Sequence, residues 1–424
     1  MRILFVCQYF YPEQFRINDV CFKLQKEGHE VTVLTGLPNY PKGEIFEGYE
    51  WEILKRKSEY DKRIGAYIES INGVKVIRAF MHPRHKGTKK LALNYLSFAI
   101  EATKVAKKMK KDEEYNFDKI IVVQYSPVTM AIPAIVFKKG KNKCVPLYLY
   151  SFDLWPESIV SAGISKNSMV YKVLKVASKW IYSKADSIWM SSKNFEKYFR
   201  EVLDLKCDCK YLPIYAEKLF TQNAEADEKL EKDVNCDGKD NTTNLLFAGN
   251  IGEMQSVETI LEAIAIVKNK GYKVVCHIVG DGSAFEKIQI LAKKLDIFEK
   301  EVKFHGQHPL QDMPKFYSMT DAFLVTLKKD EVVSYTLPGK VQSYMAYGKP
   351  ILGAIDGEAY MTIKEAQCGY AASAENAVEL AKKIISFIEQ DEESYAQQCI
   401  NARKYYDMHF SEEAFFDKFN RLIT

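Results

Sequence analysis

The sequence predicts two doubly wound α/β domains. Short apolar, β-rich runs alternate with helical stretches along almost the whole chain, a polar and acidic segment interrupts this alternation once, and the alternation then resumes. Apolar β-rich runs between helices are typical of parallel sheets covered by helices on both faces. With 424 residues, the chain is long enough for two or three domains.

The first domain is predicted for residues 1–212. A helix is expected from about Gln14 to Glu27, closed by Gly28, and another from about Lys89, where apolar residues recur at three- and four-residue steps. The predicted strands are "RILFVC", "HEVTVLTG", "VKVIRAF", "KIIVVQY", "VPLYLYSF" and "SIWMSS".

The second domain is predicted for residues 213–406. Its early segment 222–244 is polar and without periodicity, which predicts a linker or a mobile insertion. A C-terminal helix over about 407–424 is expected to pack back on the first domain. The predicted strands are "NLLFAGN", "YKVVCHIVGDG", "EVKFHG", "DAFLVTL" and "PILGAID".

The composition indicates an ordinary globular protein of the cytoplasm. Hydrophobic residues make up 47% and charged residues 27%, and the net charge of +4 does not predict a nucleic-acid partner. The nine cysteines are scattered and are expected to be reduced thiols. The N-terminal apolar run is too short for a signal peptide, and Pro127–Phe137 is too short to span a bilayer.

Several motifs occur in a fixed order: "FYPEQFRIND", "GHEVTVLTGLPNYPKG", "DLWPES", "FAGNIG", "IVGDG" and "LPGKVQSYMAYGKPI". As an ordered set they resemble the bacterial family 4 glycosyltransferases of GT-B fold, in the branch that builds capsule, exopolysaccharide and O-antigen chains. The resemblance covers essentially the whole chain. It implies two Rossmann-like domains that face each other across a cleft, where ligands of this fold class bind.

The resemblance also implies the reaction. A sugar would move, with retention of configuration, from a nucleotide sugar, expected to be UDP-linked, to a lipid-linked or saccharide acceptor. The nucleotide sugar would bind the second domain and the acceptor the first. No metal or other cofactor is expected, and the sequence has no His, Asp or Glu cluster with metal-ligand spacing.

Lys340 is the predicted catalytic cation. In "LPGK" it follows Leu337, Pro338 and Gly339 at the expected start of a helix. Free N–H groups and the positive end of a helix dipole attract anions, and lysine adds a point charge. Together they would stabilise a leaving nucleoside diphosphate, with Gly339 allowing close approach of the backbone. The alternative is a surface lysine after a turn.

Two glycine-rich turns are predicted to shape the nucleotide pocket. Each follows a strand and precedes a helix, as in phosphate-binding loops. The alternative is a pair of plain turns, with Asp281 near a helix N-terminus. The residues concerned are Gly249, Asn250, Gly252, Gly280, Asp281 and Gly282.

The sequence departs from the family pattern at four positions. Asn250 and Gln255, or a neighbour of Gln255, stand where many members have an arginine and a lysine. Tyr335 and Ser343 stand where many members have two glutamates, the later of which holds the ribose hydroxyls. Lys340 is therefore expected to be the main cation, with Ser343, water or backbone groups at the ribose.

The first domain is predicted to hold the acceptor on the loops after its first two strands. Both loops are rich in aromatic residues and proline, and aromatic faces suit sugar rings. The alternative is rigid turns that serve packing. The predicted acceptor residues in these loops are Pro12, Glu13, Arg16, Asn39 and Tyr40.

Asp153 is the second predicted catalytic residue. The family often has a His–Asp pair where this chain has Phe152 and Asp153, after the strand "VPLYLY". Asp153 would orient the sugar or accept the proton of the acceptor, and Glu157 is a further candidate for acceptor binding. The alternative is a helix-capping role for Asp153.

The segment 84–111 is strongly basic, with nine Lys or Arg residues and one acid, Glu101. A basic amphipathic helix predicts contact with the anionic inner face of a membrane. This would suit an acceptor carried on a polyprenyl diphosphate. The alternative is an ordinary helix that covers the sheet.

Two other functions are compatible with the same architecture. A nucleotide-sugar epimerase would need carboxylates and a histidine that converge on the sugar, and the sequence does not show such a set. A catalytically silent nucleotide-binding scaffold of a polysaccharide assembly complex would explain the departures from the family pattern.

Overall fold

The computed structural model describes residues 1–85, 87–160, 163–221 and 242–424. The chain divides into two compact units. Unit 1 comprises Met1–Ser191, Phe195–Leu212 and Ile423, and unit 2 comprises Ser192–Asn194, Pro213–Leu422 and Thr424.

Unit 1 is built on one sheet with the strand order β3-β4-β5-β2-β1-β6-β7-β8-β9. The strands from β5 to β9 in this order are parallel, whereas β4 pairs antiparallel with both β3 and β5. The strands are β1 (Arg2–Val6), β2 (Glu30–Thr35), β3 (Tyr60–Asp61), β4 (Ala66–Ile71), β5 (Val74–Arg78), β6 (Lys119–Gln124), β7 (Leu147–Ser151), β8 (Ser187–Met190) and β9 (Cys209–Tyr211).

Helices connect these strands. The predicted helix after β1 is confirmed, and Gly28, at a φ of +92°, follows its end. The helix predicted from about Lys89 is confirmed as α3. The helices are α1 (Arg16–Lys26), α2 (Trp51–Leu54), α3 (Thr88–Met109), α4 (Ile132–Phe137), α5 (Met169–Tyr182) and α6 (Phe195–Lys197).

Unit 2 has a six-stranded, wholly parallel sheet with the order β12-β11-β10-β13-β14-β15. The prediction of two α/β domains with parallel sheets is therefore confirmed, with the antiparallel edge of unit 1 as an addition. The strands are β10 (Thr243–Ala248), β11 (Val274–Val279), β12 (Val302–Gly306), β13 (Ala322–Thr326), β14 (Ile351–Ala354) and β15 (Gly369–Ala372).

Apolar residues fill both faces of the unit 2 sheet. Along β10, Leu245 and Phe247 belong to one core cluster, and Leu246 and Ala248 belong to the other. Successive side chains of a strand point to opposite faces, so both faces of this strand are buried.

The helices of unit 2 are α7 (Val257–Asn269), α8 (Phe285–Lys294), α9 (Met313–Ser318), α10 (Glu331–Ser334), α11 (Gly339–Tyr347), α12 (Gly357–Ala366), α13 (Ala377–Ile388), α14 (Glu392–His409) and α15 (Glu412–Ile423).

Two sequence predictions at the margins of unit 2 have separate outcomes. Residues 222–241 of the predicted polar insertion lie outside the described residues, and Thr243 and Asn244 belong to β10 rather than to the insertion. The C-terminal helix exists as α15, and Phe415 contacts the ring of Tyr215 within unit 2. Its packing on the first domain stays a prediction.

The loops after β10 and β11 lie against each other at the carboxyl edge of the sheet. The N–H of Gly249 donates to the carbonyl oxygen of Val279 at 2.9 Å, and the N–H of Ile251 donates to that of Asp281 at 2.9 Å. A Cβ on Gly280 would lie 1.9 Å from the carbonyl oxygen of Gly249, and Gly280 has a φ of +142°. Only glycine fits this contact.

We expect Gly280→Ala to lower the free energy of unfolding by at least about 2 kcal/mol, because strain in φ adds to a backbone collision. Gly271→Ala is the matched control. Gly271 also has a positive φ, +87°, but a Cβ there would meet nothing within 4 Å, so a loss of about 1 kcal/mol is expected. Urea unfolding of both variants measures the difference, and equal losses would contradict the close contact.

Candidate functional site

Lys340 is the second residue of α11, a helix with an uncapped N-terminus. Pro338 occupies the N-cap position, and no side chain caps the first turn. The helix ends at Gly348, which has a φ of +84°. The predicted helix start at "LPGK" is therefore confirmed. Lys340 lies in the first turn of α11, where the backbone N–H groups have no partner within the helix and the helix dipole is positive.

The ammonium of Lys340 reaches the loop after β10. Its Nζ donates to Oε1 of Gln255 at 2.9 Å and lies 3.9 Å from the ring centroid of Phe247. A Cβ on Gly249 would stand 3.4 Å from the same Nζ. The partner Gln255 is neutral, and it or a neighbour stands where the resemblance to the family implies a lysine.

Burial lowers the pKa of Lys340 from its usual value near 10.5 to about 7. No carboxylate of the described residues offsets this loss of hydration. The ring of Phe247 and the amide oxygen of Gln255 both favour the ammonium, but they are neutral. A bound anion would supply the missing charge and raise the pKa of Lys340 again.

A pocket of about 440 Å³ opens at the same two loops. Five residues predicted from the sequence line it, whereas Gly252 is not among its lining residues. A Cβ on Gly252 would lie 2.8 Å from Nδ2 of Asn250, so the Asn250 side chain covers that glycine. The lining residues are Gly249, Asn250, Val279, Gly280, Asp281, Gly282, Gln307, His308 and Met313.

The prediction missed His308 as a pocket residue. The sequence analysis found no carboxylate partner for His308. In the structure, Nδ1 of His308 lies 3.7 Å from Oδ2 of Asp312, four residues later. Nε2 lies 3.1 Å from the carbonyl oxygen of His305. Asp312 follows His308 by only four residues, and this short spacing was the signal that could have identified the pair.

The other residues predicted around Lys340 have different surroundings. The side chain of Leu337 belongs to the core, and a Cβ on Gly339 would meet nothing within 4 Å. Ser343 is buried and its hydroxyl donates to the carbonyl oxygen of Gly339 at 3.3 Å. The Tyr335 hydroxyl donates to Oε1 of Glu331 at 2.8 Å, so a carboxylate is present near Tyr335 after all.

In unit 1, Glu13 holds the loops after β1 and β2 together. Its Oε1 accepts from the N–H groups of Asn39 at 2.8 Å and Tyr40 at 2.7 Å, and its Oε2 accepts from that of Phe10 at 3.1 Å. Burial raises the pKa of Glu13 to about 7, although these hydrogen bonds oppose the rise.

Asn39 is also fully buried. Its Nδ2 donates to the carbonyl oxygen of Leu37 at 2.8 Å, and its Oδ1 accepts from the N–H of Arg84 at 3.0 Å. In this conformation neither Glu13 nor Asn39 faces open space. In the structure both side chains hold loops of unit 1 in place, and their predicted contact with an acceptor stays a prediction.

Aromatic rings of unit 1 cluster where the strands β1, β2, β6 and β7 end. Phe15 packs against Tyr9 at 5.6 Å, Tyr40 at 5.4 Å and Tyr125 at 4.9 Å between centroids. Tyr125 in turn stacks on Phe152 at 5.0 Å. Rings at this edge provide the flat apolar surfaces that the prediction of a sugar-binding loop requires.

Pro12 and Arg16 flank this cluster. Pro12 is partly exposed, and Arg16 begins α1 with its Nη1 2.7 Å from Oδ2 of Asp19. Tyr40 is 37% exposed and carries the guanidinium of Arg84 at 5.3 Å from its ring centroid. Of the predicted acceptor residues, Tyr40 thus offers an exposed ring and a neighbouring cation.

Asp153 follows β7 and is held by its own loop. Its Oδ1 accepts from the N–H of Leu154 at 2.9 Å and from the hydroxyl of Ser158 at 2.5 Å. Burial raises the pKa of Asp153 above its usual value, and the hydrogen bonds only partly oppose this. A raised pKa makes the Asp153 carboxylate a stronger base than an exposed aspartate.

Glu157 is almost fully buried, at 2% exposure. Its Oε1 accepts from the Tyr171 hydroxyl, and its Oε2 lies 3.2 Å from Nζ of Lys166. Both carboxylate oxygens therefore face partners within unit 1. The role in acceptor binding stays a prediction, and the observed contacts are those of a structural carboxylate.

The basic segment 84–111 contains α3, although Lys86 lies outside the described residues. One face of α3 is buried through Phe98, Ala102 and Val105. The sequence analysis counted Leu93, Leu96 and Ile100 as a wider apolar face, but these side chains are 49–54% exposed. Among the helices of the described residues, none combines the length and apolar composition needed to cross a bilayer.

Comparison with known proteins identifies the second unit. Residues 228–405 match the family model of glycosyl transferases group 1. The chain is 28% identical over 243 residues to the probable glycosyltransferase WbjE of Pseudomonas aeruginosa, and this match spans 56% of the chain and 59% of WbjE. It is 24% identical over 344 residues to the putative colanic acid biosynthesis glycosyl transferase WcaI of Escherichia coli K12, spanning 80% and 77%.

Solved structures share the fold of the whole chain. HepE of Anabaena, in complex with UDP and glucose, superposes with a TM-score of 0.65 at 15% sequence identity. The match covers 100% of this chain and 99% of HepE. The predicted GT-B fold is thus confirmed.

Glu13 provides a prediction with a defined pH dependence. A folded-state pKa near 7, raised from 4.5, means that the folded protein binds this proton more tightly than the unfolded chain. Glu13 therefore stabilises the fold most at low pH, and this stabilisation declines as the pH rises from about 4.5 to about 7.

We expect Glu13→Gln to lower the free energy of unfolding by about 1–2 kcal/mol at low pH, because an amide N–H₂ would face the N–H of Phe10. The variant should therefore unfold at a lower temperature than the wild type. The difference in free energy of unfolding between the two proteins should become smaller as the pH rises from about 4.5 to about 7. Thermal unfolding of both proteins over this pH range measures the difference. A difference that stays constant or widens would show that the Glu13 carboxyl is not the group that titrates.

Proposed function

We propose that this chain, whose residues 228–405 match the family model of glycosyl transferases group 1, is a retaining glycosyltransferase of surface polysaccharide biosynthesis. Its donor is a UDP-linked sugar bound by unit 2, and its acceptor is a lipid-linked or saccharide hydroxyl bound by unit 1. The similarity to WcaI, which is named for colanic acid biosynthesis, supports the pathway class, the similarity to WbjE supports glycosyl transfer, and the UDP named for HepE supports the nucleotide.

The observation that carries the proposal is the partly buried ammonium of Lys340 at the uncapped N-terminus of α11, next to a glycine-lined pocket. A nucleoside diphosphate is a leaving group with two to three negative charges. The N–H groups, the dipole of α11 and Lys340 together match this charge. Asn250, Asp281 and the two glycine loops form the wall of the proposed nucleotide site.

The proposed reaction breaks the bond between C1 of the sugar and the β-phosphate oxygen. Negative charge grows on that oxygen, and Lys340 stabilises it more strongly in the transition state than in the bound donor. The acceptor hydroxyl forms its bond to C1 on the face that the phosphate leaves. Its proton passes to the departing phosphate oxygen, or to Asp153 where that carboxylate is within reach.

Further parts of the proposal concern the surroundings of the reaction. Lys340 and α11 supply the positive charge at the diphosphate, so we propose that no bound metal is required. The basic segment 84–111 is proposed to face the anionic inner surface of a membrane, where a polyprenyl diphosphate acceptor would lie. Ser343 and backbone groups near Gly339 are proposed to serve the ribose.

The first test is calorimetric binding of a panel of nucleoside diphosphates, with EDTA present, to wild type and to Lys340→Ala. We expect UDP to bind the wild type and to lose roughly tenfold or more in affinity in the variant, about 1.4 kcal/mol. Lys294→Ala is the matched control, since it removes an exposed lysine from α8.

Equal binding of UDP to wild type and Lys340→Ala would reject the role of Lys340. Binding that depends on an added divalent cation would reject the metal-free site. Release of UDP from a UDP-sugar in the presence of a saccharide acceptor then separates a transferase from a silent scaffold, which would bind UDP without turnover.

The lowered pKa of Lys340 gives a second test. Free Lys340 loses its proton above a pH of about 7, whereas a bound diphosphate holds it. UDP binding should therefore take up one proton above this pH, and its affinity should fall by up to about tenfold per pH unit.

Lys340→Met should bind UDP weakly with a flat pH profile over the same range. Calorimetry in buffers of different ionisation enthalpy counts the proton directly. A wild-type affinity that is constant above pH 7, with no proton uptake, would mean that the Lys340 ammonium is already charged in the free protein.

A further inference from the structure

Helix α5 of unit 1 carries a line of exposed apolar side chains. Met169, Val173, Val176 and Trp180 are 73%, 59%, 71% and 46% exposed. Their spacing of four, three and four residues places them within about 60° of arc on the helix. The opposite side of α5 is buried through residues that include Tyr171, Ser178 and Tyr182.

Single exposed apolar residues are normal in soluble proteins, but a continuous line along a helix marks a contact surface. In unit 2, Ile290 of α8 is an isolated example, at 67% exposure. On α5 the four apolar side chains are consecutive along one face, so they form a strip rather than scattered points.

The charged side chains of α5 itself are all lysines, although Nζ of Lys179 pairs with Oδ2 of Asp204 at 3.0 Å. Lys172, Lys175 and Lys179 lie together on one flank of α5, and no Asp or Glu occurs between positions 158 and 185. Beyond the helix, Nζ of Lys184 lies 5.3 Å from the ring centroid of Trp180. An apolar strip with a tryptophan and a lysine flank is typical of helices that lie in the interface of a bilayer.

We infer that α5 is a membrane-docking helix that binds an anionic lipid surface. The apolar line lies at the boundary of the acyl chains, and the lysines lie among the phosphate headgroups. A second copy of this chain fits less well, because a symmetric contact through the line would bring the lysine flanks of both copies together.

The inference goes beyond the proposed function, because it would hold whatever reaction unit 1 serves. It also adds an element that the basic segment 84–111 does not contain. Helices α3 and α5 both pack against the turn Val128–Ala131 of unit 1. The exposed Leu93, Leu96 and Ile100 of α3 give the same unit a second exposed apolar strip.

The test is co-sedimentation with vesicles, using the double variant Val173→Ser/Val176→Ser. Serine has a helix propensity close to that of valine, so the helix is retained. We expect wild type to bind vesicles of phosphatidylglycerol and phosphatidylcholine, and the double variant to bind on the order of tenfold more weakly. Ile290→Ser is the matched control and should bind as wild type does.

Trp180 supplies a direct readout, since it is the most exposed of the four tryptophans: Trp155 and Trp189 are buried, and Trp51 is only partly exposed. Vesicles should shift the tryptophan emission to shorter wavelength in wild type, and Trp180→Phe should abolish this shift. Calorimetry of UDP with the double variant should match wild type. A failure of membrane docking is thereby distinguished from a failure of the proposed transferase site.

Three results would overturn the inference. The double variant could bind anionic vesicles as strongly as wild type. Wild type could bind phosphatidylcholine vesicles equally well, which would exclude a role for the lysines. Light scattering could show that the double variant dissociates an oligomer while its vesicle binding is unchanged, which would assign α5 to an interface between copies.

Discussion

The backbone contact between the two glycine loops of unit 2 determines the rest of the candidate site. The carbonyl oxygen of Gly249 occupies the space that a side chain at Gly280 would need. Hydrogen bonds between the loops fix Gly249 at the end of β10. Lys340 can therefore approach Gly249 from α11 and still reach Gln255 and Phe247. Because three of the residues that line the pocket are glycines, a ligand could approach the backbone of these loops closely.

Most of the two sheets could be predicted because their strands are buried on both faces and read as continuous apolar runs. The hairpin β3–β4 was missed because it lies at the edge of the unit 1 sheet, where Asp61, Glu69 and other polar residues interrupt the apolar pattern. The short strand β15 was missed because "GYAA" has little β-propensity and is recognised only by its pairing with β14. Tertiary pairing supplied what the local sequence lacked.

The site was partly predictable for the same reason. The glycine loops and the start of α11 are local features, so the sequence shows them directly. The partner of the Lys340 ammonium is not local, since Gln255 is 85 residues away along the chain. The exposed apolar residues of α3 could not be predicted either. Periodicity shows which residues share the apolar face of a helix, but not how much of that face the sheet buries. In α3, Leu93, Leu96 and Ile100 lie outside the buried part.

The two units differ in how the charges of their buried or partly buried groups are balanced, and this difference supports the proposal that unit 2 binds the anionic ligand. In unit 1, Glu13, Asp153 and Glu157 each accept hydrogen bonds from their own surroundings, so the buried carboxylates already have partners. In unit 2, Lys340 is partly buried beside neutral groups, and the loss of hydration lowers its pKa. A buried cation without a counter-charge destabilises the unliganded protein. Binding of a diphosphate would remove that cost, so the strain in the free site contributes selectivity for an anion.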